Sequence, residues 1–264
     1  MRVWIIGGSK GIGRALAALY AARGDDVLCL ARSKCDVEGV RNEPFDLDRP
    51  GSEVGTHMHR LLVAEGLDPE DSELRDMVLD DTMRFGWRKR WFYTRRGAPD
   101  LAIISSGIGA YIRQDQWRDD WHEDAQGRMH AGIDTIIRIN LISRMWIANE
   151  LLRAMRRRRS GKIVLIGSRV ATRGAHALEI YSAGHAGLRG YVYSASRHPA
   201  KRGVTLGLIE PGWVDSPMVR DIASHVKSAI DRELGPMMTT DEAAALIADN
   251  IAVVSPGQVI EVGR

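Results

Sequence analysis

The sequence predicts an α/β fold, a mostly parallel β-sheet with helices on both faces. Three observations carry that expectation. Short apolar runs alternate with stretches of helical spacing, as βαβ units require. The runs at 101–105 and 162–167 are almost continuously apolar, as in strands covered on both sides. A glycine-rich turn, Gly7-Gly8-Ser9-Lys10-Gly11-Ile12-Gly13, follows the first apolar run and opens the first helical stretch. The 264 residues, 44% hydrophobic and 27% charged, can bury a substantial core without disulfide or metal staples.

Residues 1–6 read as the first strand. In the helix that follows, Ile12, Ala15, Leu16 and Leu19 share one face, and Gly24 suits its end. Residues 27–31 and 43–46 supply the second and third strands, and 101–105 and 162–167 the fourth and fifth. Between the last two, 133–155 has helical spacing and runs into Arg156-Arg157-Arg158-Arg159, where cations complement the carbonyl end of a helix. A later helix is expected from about 181 to 197, and 204–209 and 259–262 complete seven strands. Without repeats or low-complexity linkers, one domain over 1–264 is expected, with an inserted segment at about 51–99. Within that segment Asp68-Pro69-Glu70-Asp71 resembles a helix start, and Leu74, Met77, Val78 and Phe85 recur on one face. A basic run follows that carries Trp87, Trp91, Phe92 and Tyr93. Seven acids at 68–81 can satisfy it, so it reads as a lid or subunit contact rather than a nucleic-acid site.

Several function classes fall away. Thirty-seven Lys and Arg against 34 Asp and Glu leave a net charge of only +3, which implies no polyanion partner and no nucleic acid. Cys29, inside a strand, and Cys35, in a loop, make no disulfide scaffold and fit a reducing compartment. The apolar stretch 3–6 is too short for a secretion signal, and no run approaches the length of a membrane span. A cytoplasmic protein is expected. His57-Met58-His59 and Trp121-His122-Glu123-Asp124 lack zinc-ligand spacing and read as solvated loop residues, so no metal is expected.

The glycine turn carries the chemistry. Glycines let backbone approach a pyrophosphate, while free N–H groups and the helix dipole oppose its charge. At the end of the second strand, where an acid would accept a hydrogen bond from a free ribose 2′-hydroxyl, the chain has Arg32 and Ser33. These favour a 2′-phosphate, and Lys10 in the loop adds a second cation. Charge alone therefore favours NADP(H) over NAD(H).

With these pieces in order, the chain resembles the short-chain dehydrogenase/reductase family over nearly its full length. The matching residues are Gly7 to Gly13, Asp46-Leu47, Ile104-Ser105-Ser106-Gly107, Asn140, Ser168, Tyr181 thirteen residues later, and Pro211-Gly212-Trp213-Val214-Asp215-Ser216. The resemblance implies a Rossmann-like, doubly wound, seven-stranded sheet and a homo-oligomer, dimer or tetramer. It implies NADP(H)-dependent interconversion of a small-molecule carbonyl and alcohol. Tyr181 would be the acid/base, Ser168 would bond the same substrate oxygen, and Asn140 would support a proton relay. Ser9, Ile12 and the loop glycines would face the pyrophosphate and Asp46 and Leu47 the adenine. Ser106 and Gly107 would border the cofactor, and Pro211, Gly212, Val214 and Ser216 the nicotinamide. His176 and the segment from Trp213 through Met218 to Met238 would lie over the substrate.

Four features depart from that pattern. Ile6 replaces a threonine before the first glycine, Ile104-Ser105-Ser106-Gly107 replaces Asn-Asn-Ala-Gly, and Ser216 replaces a threonine. The largest change is His185 in place of the lysine of Tyr-x-x-x-Lys. A lysine ammonium lowers a neighbouring phenol from its usual pKa of about 10; imidazole, near 6.5, is mostly uncharged at neutral pH. Three readings stay open at this point: a weaker or pH-shifted oxidoreductase, a nucleotide-binding scaffold or sensor, and a proton-transfer enzyme without net hydride transfer. If the acidity of Tyr181 is limiting, His185→Lys should gain activity at neutral pH.

Overall fold

The fold was described from a computed structural model at residues 1–67, 94–109, 117–123, 129–219, 228, 232 and 235–263. Seven strands, β1 (Arg2–Ile6), β2 (Asp26–Ala31), β3 (Arg41–Pro44), β4 (Leu101–Ile104), β5 (Gly161–Ile166), β6 (Val204–Pro211) and β7 (Val259–Val262), form one parallel sheet in the order β7-β6-β5-β4-β1-β2-β3. Every pairing is parallel; Ile5, for example, lies between Cys29 of β2 and Ile103 of β4. The doubly wound sheet expected from the sequence is thus the sheet observed.

Alternation along β1 explains the two layers of core. Trp4 and Ile6 point to one face, where they pack with α2 (Gly51–Ala64), α3 (Ser143–Arg158) and α4 (Glu179–Ala195) through Met58, Leu61, Ile147, Leu151, Leu188 and Val192. Val3 and Ile5 point to the other, against α1 (Gly11–Ala22) and α5 (Thr240–Val253) through Leu16, Tyr20, Ile247 and Ile251. Each of these side chains removed from water stabilises the fold by about 1.5–3 kcal/mol before entropy is counted. Gly24 ends α1 in the left-handed region, at φ +80°. At the far end of α3, Arg158 donates to Ala98 O and Pro99 O, both at 2.6 Å. Arg156, Arg157 and Arg158 thus form the last turn of a helix, as their sequence position implied.

Several boundaries differ from expectation. The third strand spans 41–44 rather than 43–46, because Asn42 clamps the preceding loop, accepting from Cys35 N at 2.7 Å. As an edge strand it needs no apolar alternation. The helix expected over 133–155 is present and runs on to 158, but it carries a π turn at Arg138–Ile142, between Ile133–Ile137 and α3. Helix α5 had no counterpart in the sequence reading. His57 and His59 are not solvated loop residues but lie on α2, on either side of the fully buried Met58; His57 packs on Phe45 with ring centroids 4.7 Å apart. Among the described residues no group of ligands could hold a metal, and no helix is long and apolar enough to cross a membrane. The segment at about 51–99 begins with α2, an integral part of one helix layer. The expected helix start at 68–71 and most of the basic-aromatic run lie outside the described residues, as does Asp124.

Candidate active site

The order of strands reverses between β1 and β4, and the loops leaving β1, β2, β4, β5 and β6 gather at the carboxyl edge of the sheet. Gly7 has φ +88°, and a Cβ there would stand 2.6 Å from the backbone of Ser106 in the loop after β4. At Gly13 a Cβ would meet Gly7 O at 2.1 Å, so the first turn of α1 lies directly against the loop that feeds it. Gly11, at φ +53°, requires glycine for its backbone rather than for space. No side chain caps α1 and no acid sits in its first turn, so its positive end is left for another anion.

The loops from different strands meet around this cradle. Ser33 Oγ donates to Ser9 Oγ at 3.0 Å, joining the ends of β2 and β1. Lys10 and Arg32 are exposed on the same two loops. Ser216 Cβ approaches to 3.6 Å of the position a Cβ would take on Gly11, and Met218 covers Gly109. Gly212 N donates to Val262 O at 2.9 Å, and Pro211 O accepts from Arg169 N at 3.2 Å. Val214 is buried and pairs with Met238, while Ile12 is partly buried against the core. Asp46 accepts from Asp48 N at 3.0 Å. The Leu47 side chain is packed in the core and its carbonyl accepts from Ser143 Oγ at 2.8 Å. His176 is exposed, and of the segment expected over the substrate, 220–227 lies outside the described residues.

Tyr181 stands in the first turns of α4, and the Ser168 hydroxyl, which leaves the end of β5, is close enough to act on its phenol. His185, one turn on, packs its ring on the phenol at a centroid distance of 4.3 Å and a tilt of 48°. Asn140 lies in the π turn and is fully buried. Its amide donates to Ile108 O and accepts from Ile108 N, both at 2.9 Å. It thereby fixes the loop after β4 and lies close to Gly107, where a Cβ would make a tight 3.0 Å contact with Asn140 Oδ1. A π turn widens the helix locally and is a frequent device beside functional groups.

The electrostatics are set by burial. Desolvation pushes the Tyr181 phenol above 10, and the nearby Arg144 cation and Ser168 hydroxyl pull it back. Burial, and then Arg144, hold the His185 imidazole well below its ordinary value, so it is neutral at physiological pH. Neither of its ring nitrogens has a partner among the described residues. Arg144 itself was missed in the sequence. It falls four residues after Asn140, on the apolar face of α3 shared with Ile147, Ala148 and Leu151, and a cation on such a face was the available signal.

Comparison with known proteins agrees with this geometry. A family profile described as short chain dehydrogenase matches residues 120–227. The 3-oxoacyl-[acyl-carrier-protein] reductase FabG of Salmonella typhimurium is 27% identical over 98% of this chain and 93% of its own length; that of Escherichia coli is 26% identical over the same shares. The chain is similar to short-chain dehydrogenases and reductases over nearly its whole length. Nodulation protein G of a Rhizobium strain is 29% identical over 62% of this chain and 64% of its own. Among solved structures, a short chain dehydrogenase/reductase family protein superposes with a TM-score of 0.69 over 99% of this chain and 95% of that one, at 18% identity. A structure titled ribose-5-phosphate isomerase from Brucella melitensis gives 0.71 over 99% and 90%, also at 18%. At that identity both speak for the fold alone. The fold is the nucleotide-binding one of a family of oxidoreductases.

Proposed function

We propose that the protein is an NADP(H)-dependent oxidoreductase that interconverts a small-molecule carbonyl and its alcohol, with Tyr181 as acid/base. The observation that carries the reading is the placement of Tyr181 close to Ser168 at the carboxyl edge of the sheet, beside the glycine cradle. The residues present fit a dinucleotide. Side chains are excluded at Gly7 and Gly13, the α1 terminus is uncapped, and the buried Ser106 hydroxyl has no partner among the described residues. Gly7, Ser9, Gly11, Ile12 and Gly13 would hold the pyrophosphate, and Lys10, Arg32 and Ser33 a 2′-phosphate. Asp46, Leu47, Ser106 and Gly107 would border the adenosine half, and Pro211, Gly212, Val214 and Ser216 the nicotinamide half. When bound, the cofactor supplies or accepts the hydride.

The remaining steps belong to the chain. Ser168 and Tyr181 hydrogen-bond the substrate oxygen, and Tyr181 Oη gives up a proton as the carbonyl becomes an alcohol and takes one back in reverse. Asn140, its amide occupied by Ile108, acts on the relay by fixing the loop and the π turn. His185, neutral and with neither ring nitrogen bonded among the described residues, can donate one hydrogen bond but contributes no charge. The same neutrality favours the second reading, a nucleotide-binding member with weakened or absent turnover. Family resemblance and the exposed Trp146 on α3 and Tyr193 on α4 support a homo-oligomer, and the reading places it in the cytoplasm.

Fluorescence titration using the seven tryptophans, with NADPH beside NADH, followed by turnover on a carbonyl panel at several pH values, tests both readings. We expect NADPH to bind at least tenfold more tightly than NADH and to be oxidised. Tyr181→Phe should lose at least a hundredfold in turnover, the scale of general acid–base catalysis, with little change in binding. Binding without turnover would favour the second reading; no binding of either dinucleotide would remove both.

A further inference from the structure

We propose that Arg144, reaching in from α3, is a positioning residue that supplies to the Tyr181 phenol the fixed positive charge a lysine at position 185 would otherwise bring. The proposal rests on Tyr181 being the acid/base of the reading above.

The placement of Arg144 carries the argument. Its side chain is fully buried, and Nη2 donates to Ile104 O at 2.9 Å and also to Ile166 O. These two carbonyls close β4 and β5, which are neighbours in the sheet, so the guanidinium is pinned beneath the edge from which Ser106 and Ser168 emerge. Nε and Nη1 are buried and have no partner among the described residues. A buried guanidinium held only by two neutral carbonyls, with no carboxylate bonded to it, is costly, and an apolar side chain would fill the same space at less expense. Such a cation is retained for what its field does.

That field falls on the reacting pair. Of the groups acting on Tyr181, His185 from its own helix is neutral, Ser168 from the loop after β5 is a hydroxyl, and Arg144 from α3 carries the charge. The effect is reciprocal: burial pushes Arg144 down to about 10 while the phenol pulls it up. At neutral pH it is still a cation. The same charge disfavours a second cation at 185. An ammonium there would be desolvated beside a like charge, whereas a neutral imidazole is compatible with it. The exchange of lysine for histidine on α4 and the arginine on α3 are therefore two halves of one arrangement, with the charge moved to a neighbouring helix.

The test titrates the phenol itself, so it reads out whether or not hydride transfer occurs. A fluorinated tyrosine at position 181 brings the titration into the stable pH range, where 19F NMR follows it in the full chain. Arg144→Gln keeps a donor for the strand-end carbonyls and loses the charge; it should raise the midpoint by at least one pH unit. Arg144→Lys should hold it within half a unit. His185→Lys, with Arg144 intact, should also leave it within half a unit, because the introduced amine sheds its proton beside the guanidinium. In Arg144→Gln/His185→Lys that amine keeps its proton and the midpoint should fall back toward the starting value. An unchanged midpoint in folded Arg144→Gln overturns the proposal. So does a fall of one unit or more in His185→Lys alone, which remains decisive if Arg144→Gln does not fold. Absence of turnover with these shifts present would count against the oxidoreductase reading and leave the electrostatic one standing.

Discussion

His185 is neutral inside the fold and free to take a proton once the chain unfolds, which ties the stability of the protein to pH. Its folded pKa is depressed, first by burial and then by Arg144. The unfolded state therefore binds the extra proton first as pH falls below about 6.5. Stability should be level above that value and should decline below it, by up to about 1.4 kcal/mol per pH unit for one proton. His57, also depressed by burial, adds in the same direction. Chemical denaturation between pH 7.5 and 5 measures the slope, and His185→Phe should flatten it relative to the unsubstituted chain. A second consequence at this scale concerns Arg32. An acid in its place would repel a 2′-phosphate and accept from a free hydroxyl, so Arg32→Asp should weaken NADPH binding about tenfold and narrow the preference over NADH, as read by the same fluorescence titration.

Helix α5 shows what a cap contributes. Thr239 Oγ1 accepts from Glu242 N at 3.2 Å, and Glu242 Oε2 accepts in return from Thr239 N at 2.8 Å, satisfying two otherwise open donors. Thr239→Ala should cost about 1 kcal/mol and lower the melting temperature by about 2–4 °C. Thr-x-x-Glu ahead of an alanine-rich stretch was readable in the sequence, yet this element went unnoticed. Strands and glycine turns were legible because apolar runs and φ-demanding positions leave local marks. The Tyr181–Ser168 pairing was legible only through family pattern, since it joins a helix start to a strand end thirteen residues away. Arg144 was not legible at all as a site residue. Its meaning comes from Ile104 and Ile166, which become neighbours only when β4 and β5 pair. The π turn was equally hidden, because Asn140 makes its bonds to Ile108, a residue distant in sequence.

Across the whole molecule, both faces of the sheet leave apolar groups at their outer surfaces, Leu246 and Val253 of α5 on one and aromatic groups on the other. Trp146 of α3 and Tyr193 of α4, on the face that also holds the larger core, keep 39% and 52% of their surface exposed, and Ile142 adds to them. Large exposed apolar groups on one side of a sheet are where a second copy would sit. Light scattering should give a mass above that of one chain, and Trp146→Asp with Tyr193→Asp should reduce it to one chain with the fold intact by circular dichroism. Trp146 also lies against Gly51 and Gly55 of α2, so the surface is backed by a tight helix–helix seam rather than by a loop.

The contact between Gly7 and Ser106 has one more effect. Where those two backbones touch there is no space even for a methyl group, so an alanine at position 7 would have to wedge the ends of the first and fourth strands apart.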